Sequence, residues 1–189
     1  MNQTFTFDAR GGSMRADAAR NRAAIVGAAR ELIVASGGDA GMDEIAARAG
    51  VAVGTLYRHF PTKGELVAAI MAELGAEVVV LLDAAASRVD SGEVAAHAEI
   101  AALLRRVVVD MADDRMLRDA AGVLPAGVEQ HARDVLGRLV AAAHVEGTVH
   151  PDVTVDDLTL LLTTAPGDET PESRRERWVA LAVRALSAP

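Results

Sequence analysis

Thr55, Tyr57, Arg58, His59 and Lys63 crowd two hydroxyls, an imidazole and two cations into one short stretch of the chain. None of them has a neighbour in sequence that would make it a nucleophile or a general base. What hydroxyls and cations near a helix start do well is hold phosphate oxygens. Just ahead, Ala52, Val53 and Gly54 are small, so a helix carrying them can approach another surface closely while offering few hydrogen bonds. Against base-pair edges, Thr55 and Arg58 are the polar candidates for reading sequence, and thymine-methyl contact and DNA shape would carry the rest. Upstream, Arg20 and Arg22 have two readings, a solvated helix face or a phosphate contact. Tyr57 also has two, a phosphate partner or a half-buried packing ring.

Catalytic and metal chemistry have no comparable constellation. The chain has no Cys, which removes thiolate nucleophiles, thiolate metal sites and disulfides and suits a reducing cytoplasm. No glycine loop is built to cradle phosphate, and no H-E-x-x-H pair exists. His144, Glu146 and His150 are close in sequence, but Gly147 and Pro151 break any helical face they would share. The expectation is no catalytic residue, no metal and no cofactor.

The elements that must position the polar stretch are short helices. Met42, Ile45, Ala46 and Ala49 fall on one apolar side of a helix of about two turns. Gly50 stops that helix cheaply in the left-handed conformation, and Val51 follows as an apolar plug. A second helix is expected over about 53–60, with Val53, Leu56 and Phe60 facing inward. Helix, glycine turn, helix is the helix-turn-helix pattern, whose second member lies in the major groove. Met42 and Ala52 mark the starts of the two helices and join the DNA-contact candidates. Pro61 closes the unit, and Thr62 to Glu65 has the form of a capping box.

The string GVAVGTLYRHFPTKGELVAAI, residues 50–70, resembles the end of the DNA-binding domain of TetR-family transcriptional regulators. ARNRAAIVGAARELIVASGGDAGMDEIAARA, residues 19–49, resembles its beginning. The match runs without a gap over about 20–70, and G-T-L-Y-x-H-F-x-x-K is its specific part. The resemblance implies an all-α homodimer whose N-terminal domain binds a palindromic double-stranded operator and whose C-terminal domain binds a releasing small molecule. It also implies that Thr55, Tyr57, His59 and Lys63 contact the operator backbone, and that the protein represses. Gly41 and Ala52 stand where the family often places Ser or Thr, so one hydroxyl cap and one possible phosphate contact are missing at the starts of the two short helices.

Composition agrees with helix packed on helix: 51% of residues are hydrophobic and only 3% aromatic. No apolar run is long enough to span a membrane, and no secretion signal is present, so a soluble cytoplasmic protein is expected. The net charge of −8 is unevenly spread. Residues 15–64 carry seven basic and five acidic side chains, whereas 65–189 carry 11 basic and 21 acidic. The helix-turn-helix part alone is weakly basic, so useful affinity calls for two copies acting together.

Three parts are expected: an arm or leader over 1–14, the DNA-binding domain over 15–64, and an effector-binding and dimerisation domain over 65–189. The first helix should start at Asp17, carry Ile25, Ala28, Ala29, Leu32 and Ile33 inward, and end at Gly37 and Gly38. A helix from Lys63 keeps an apolar period to Val89, on the order of 40 Å, and can act as a lever. The next helix spans about 93–112, with Arg106 and Asp110 placed to pair. A short helix with Met116 and Leu117 follows, then a helix over 126–145. Thr154 and Thr170 should cap the last two.

Leu158, Leu160, Leu161 and Leu162 on the first of those helices and Trp178, Leu181, Ala182 and Ala185 on the second form apolar stripes, of which Leu158, Leu161, Leu162, Trp178, Leu181 and Ala185 are read as the homodimer interface, with Arg174, Arg175 and Arg177 left wet. For the effector site the candidates are Leu74, His97, Leu104, Val108, Met111, Leu124 and His131, with Val123, Leu136 and Asp110 nearby. With Trp178 assigned to pairing, no aromatic remains to stack on a flat ligand, which favours a small or aliphatic effector. The competing reading is a helical adaptor that binds no DNA; it would explain the C-terminal stripes and leave Tyr57, His59 and Lys63 without a use.

Overall fold

Gly50 sits at φ 68° and ends the helix Met42–Ala49, with the Val51 N–H reaching back to the Ala46 carbonyl at 3.0 Å. This is a left-handed cap that a side chain would strain. The computed structural model describes residues 9–36, 40–110, 125–167 and 169–188. Its helices are α1 (Ala9–Ser36), α2 (Met42–Ala49), α3 (Val53–His59), α4 (Lys63–Asp90), α5 (Ala96–Arg105), α6 (Ala126–Val145), α7 (Val155–Thr163) and α8 (Glu172–Leu186). Arg106–Asp110 continues α5 as a π-helical turn. Apart from one isolated antiparallel bridge between Val149 and Ser187, the described residues are all-α.

The chain divides into two compact units, Met1–Ile70 and Met71–Pro189, so the division falls inside α4. In the first unit, Ile25 and Ala29 of α1, Ile45 and Ala46 of α2, Leu56 of α3, then Phe60, Leu66 and Ile70 are buried together as the core. Arg48 joins α2 to α1 through Glu31, with Nε to Oε2 at 3.0 Å. Neither short helix has a side-chain cap at Gly41 or Ala52. α1 starts at Ala9, ahead of the expected Asp17: Ala, Arg and Met are good helix formers and carry the helix through Gly11 and Gly12. Asp17 pairs with Arg20 one turn on instead of serving as a cap. The expected glycine stop at 37–38 lies outside the described residues.

In the second unit, α5, α6, α7 and α8 gather around Ile100, Leu104, Val108, Leu136, Leu139 and Leu158. α6 comes close to α4 because Gly75 has no side chain: a Cβ there would stand 3.0 Å from Val128 Cγ2. Glu99, 3% exposed, is held in a two-pronged ion pair by Arg88. The Ala96 N–H at the start of α5 donates to Glu146 Oε1 at 2.8 Å, which replaces a cap that Ala95 cannot supply. At α7 the capping box is complete, Thr154 Oγ1 accepting from the Asp157 N–H at 3.4 Å and Asp157 Oδ2 accepting from the Thr154 N–H at 2.8 Å. Only half of the Thr62 box forms, the Glu65 N–H donating to Thr62 Oγ1 at 3.2 Å. α8 begins one residue later than expected, with Pro171 rather than Thr170 as its cap.

Two expectations fail for reasons of helical register. Arg106 was expected to pair with Asp110, but the π turn brings residues five apart into line, and Asp110 Oδ1 lies 2.8 Å from Arg105 NH1. Arg105 also reaches Glu176 on α8 at 3.5 Å. On α8 the buried stripe is Arg175, Val179, Ala182 and Leu186, which shares Ala182 with the stripe read from the sequence and turns Arg175 toward the core. Arg175 is therefore 7% exposed rather than wet, and its Nε has no hydrogen-bond partner. The expected short helix with Met116 and Leu117 lies outside the described residues. Among those described, no helix is long and apolar enough to cross a membrane.

Candidate nucleic-acid interface

Leu56 anchors α3. It is completely buried, Phe60 just past the helix end is 4% exposed, and together they fix which way the other side chains of this two-turn helix point. Truncating Leu56 would cost roughly 2–5 kcal/mol and release that orientation. Val53 was expected to share the inward face, but it is 41% exposed. Val51, just before the helix, is half-buried.

The face left outside is continuous. Ala52, Val53, Gly54, Tyr57 and Arg58 are all exposed, with Thr55 and His59 half-buried along its edge. Tyr57 is 45% exposed, so part of its ring lies against the unit and the rest stands on this face. Gly54 is not demanded by the fold: a Cβ there would meet nothing within 4 Å, and its φ lies outside the left-handed range. What its smallness preserves is clearance on the outer surface. Such a face carries a phenol, a guanidinium and small apolar groups, and can contact phosphate and base edges together.

The supporting cations divide. Arg22 places its guanidinium carbon 5.4 Å from the centroid of the Phe60 ring, a cation–π contact that ties the middle of α1 to the residue that follows α3. Arg20 pairs with Asp17 and remains well exposed. Lys63 is half-buried at the first position of α4 and has a partner of its own. Met42 is half-buried at the first position of α2. Thus α1, α2, α3 and the start of α4 bring Arg20, Arg22, Met42, the α3 face and Lys63 into one unit.

The proposed effector residues fare differently. Leu74, Leu104 and Val108 are 0%, 2% and 1% exposed and belong to the packed interior. Leu136 is likewise buried. His131 is engaged by Asp83 at 2.8 Å, and His97 by Glu146 at 3.7 Å. Met111, Val123 and Leu124 lie outside the described residues. One opening among the described residues is a groove of about 670 Å³ lined by Glu73, Ala76, Glu77, Val78, Val80, Leu81, Ala84 and Arg88 of α4 and by Arg106. Sequence reasoning missed it because an exposed apolar face on a long helix looks like the margin of a core stripe.

Of the proposed pairing residues, Leu158 is 2% exposed and is core, since the first turn of α7 faces α6. Leu161, Leu162 and Trp178 are half-buried against that core, while Leu181 and Ala185 are exposed. Leu160, on the same apolar helix, is 59% exposed.

Two family models cover the chain: bacterial regulatory proteins of the tetR family over residues 25–70, and the C-terminal domain of SbtR-like transcriptional regulators over 94–188. A TetR transcription regulatory protein from Mycobacterium vanbaalenii is 34% identical, with 93% of this chain and 99% of that one covered at a TM-score of 0.63. This chain belongs to the TetR family. It is therefore one of a family of DNA-binding transcriptional regulators. A gamma-butyrolactone receptor described as ArpA-like is 25% identical, with 89% and 97% coverage and a TM-score of 0.59. CprB from Streptomyces coelicolor, solved with its operator sequence, shares the fold at 24% identity, 88% and 96% coverage and a TM-score of 0.62. Among curated proteins none matches.

Proposed function

We propose that this TetR-family chain is a ligand-responsive repressor: two copies joined through α7 and α8 bind a palindromic operator, and a small molecule bound in the C-terminal unit releases them. Residues 15–64 would form the operator-binding domain and 65–189 the effector-binding and pairing domain. The observation that carries this reading is the outer face of α3. Its polar and small side chains stand free of the core that Leu56 and Phe60 anchor behind them.

In this reading Tyr57, Thr55, His59, Lys63, Arg20 and Arg22 hold phosphates, and Ala52, Val53, Gly54 and Arg58 approach the base edges. Arg22 is held beside Phe60 by its cation–π contact, which would keep its charge close to the end of α3. Relatives named for an operator complex and for a gamma-butyrolactone receptor support DNA and small-molecule partners. Two α3 helices must be presented about 34 Å apart to enter successive major grooves. Release follows if the ligand binds best to a pair in which that spacing is lost, and DNA must then weaken ligand binding by the same factor.

The test is a gel shift with the duplex upstream of the chain's own gene, alongside an unrelated duplex. A retarded complex with the first at a salt concentration where the second stays free is expected. Equal indifference to both would end the proposal.

A further inference from the structure

Arg106 is an arginine from which the fold takes a carboxylate away. Its sequence offers Asp110 four residues on, the usual helical partner, and the π turn gives Asp110 to Arg105 instead. Among the described residues Arg106 has no hydrogen-bond or ion-pair partner, and its side chain lines the groove along α4. The other charges lining that groove are committed: Arg88 is held by Glu99, and Glu73 and Glu77 each have partners. The remaining lining is aliphatic, with Val80 69% exposed despite its size. An apolar channel of about 670 Å³, with one uncommitted guanidinium, is within the size range of small-molecule sites.

We infer that this groove binds an amphipathic anion, an unbranched aliphatic carboxylate whose head is held by Arg106 and whose chain lies along Val80, Leu81 and Ala84. The inference rests on the effector reading given above and names the chemistry of that effector. Guanidinium is the side chain best shaped for a carboxylate, because its fork makes two parallel charge-assisted hydrogen bonds. Burying Val80 and Ala84 under an alkyl chain supplies the hydrophobic part. The π turn is the device that makes this possible: an ordinary α-turn at the same sequence would bring Asp110 within reach of Arg106 and neutralise the site.

The test is calorimetric titration of the full chain with decanoate, decanol and decylamine. Decanoate is expected to bind saturably, more tightly than decanol, with affinity falling as salt rises. Arg106→Gln should weaken decanoate about ten- to a hundredfold, the value of a charge-assisted pair, and leave decanol unchanged. Arg106 is exposed, so the variant should fold as the parent does, which a thermal melt checks. Decanoate binding that survives Arg106→Gln intact, or decylamine or decanol binding as tightly as decanoate, or no saturable binding at all, would overturn the inference. The operator gel shift is read separately. If it succeeds and responds to another compound while decanoate fails, the regulator stands and only the ligand chemistry falls.

Discussion

The Glu146 carboxylate at the end of α6 accepts the Ala96 N–H at the start of α5, joining two helix termini that lie 50 residues apart in sequence. One orphan donor of α5 is satisfied, and the negative charge meets the positive end of its dipole. The same hydrogen bond, with help from the His97 N–H and the Thr148 hydroxyl, holds the Glu146 carboxyl below the usual carboxylate range.

Glu146→Ala should therefore cost about 1 kcal/mol, the ordinary value of a lost helix cap, measured by urea denaturation at neutral pH. Because the folded-state pKa is depressed, the contribution is fully present above the unfolded-chain carboxylate value and is lost as pH falls through the lower folded one. The stability gap between parent and variant should hold from pH 7 to roughly 5 and close below about 4. A gap that does not change over that interval would show that the carboxylate charge is not what matters.

What could be read from sequence was what is fixed locally. Gly50, Leu56, Phe60 and the T-x-x-D of Thr154 and Asp157 act within one or two turns, and each does in the structure what its spacing implied. What escaped depends on neighbours distant in the chain. The phase of α8 follows from the face that meets α5 and the π turn, so Arg175 goes inward. Glu146 as a cap for α5 has no sequence signature. The swap of Asp110 from Arg106 to Arg105 needs a π turn, and periodic patterning assumes 3.6 residues per turn throughout.

Glu99 and Arg88 yield a second stability prediction. Glu99 is buried and Arg88 retains 37% side-chain exposure, so losing the carboxylate leaves a cation that can still turn to water. Glu99→Ala should cost about 2–3 kcal/mol, at or below the low end for a broken buried pair. Replacing both, Arg88→Met with Glu99→Leu, should recover most of that loss, because no charge then remains to be desolvated. A double variant as unstable as the single one would mean the site depends on its ionic geometry rather than on charge balance.

Lys63 and Tyr57 separate positioning from reading on the proposed operator face. Lys63→Ala should weaken operator and unrelated duplex alike and flatten the dependence of log affinity on log salt by about one per chain. Tyr57→Ala should also weaken both, by about tenfold, with little change in salt slope because no charge is removed. Fluorescence anisotropy across a salt series measures both. If Lys63→Ala leaves affinity and slope untouched, the proposed docking of α3 is wrong.

Leu181 tests the pairing surface. It is 46% exposed on α8, on the side opposite the buried stripe of Val179, Ala182 and Leu186, and Leu160 on α7 is more exposed still. In a second copy of the chain these side chains would find the cover they lack in one. Leu181→Glu places a charge where an apolar contact is expected, without entering the core of the single chain, so its thermal midpoint as a monomer should be little affected. Sedimentation at micromolar concentration should show a dimer for the parent and a monomer for the variant. Operator affinity should fall at least a hundredfold, because each weakly basic helix-turn-helix would then bind alone and lose the gain of being tethered to its twin. A Leu181→Glu protein that stays dimeric would move the interface away from this face of α8.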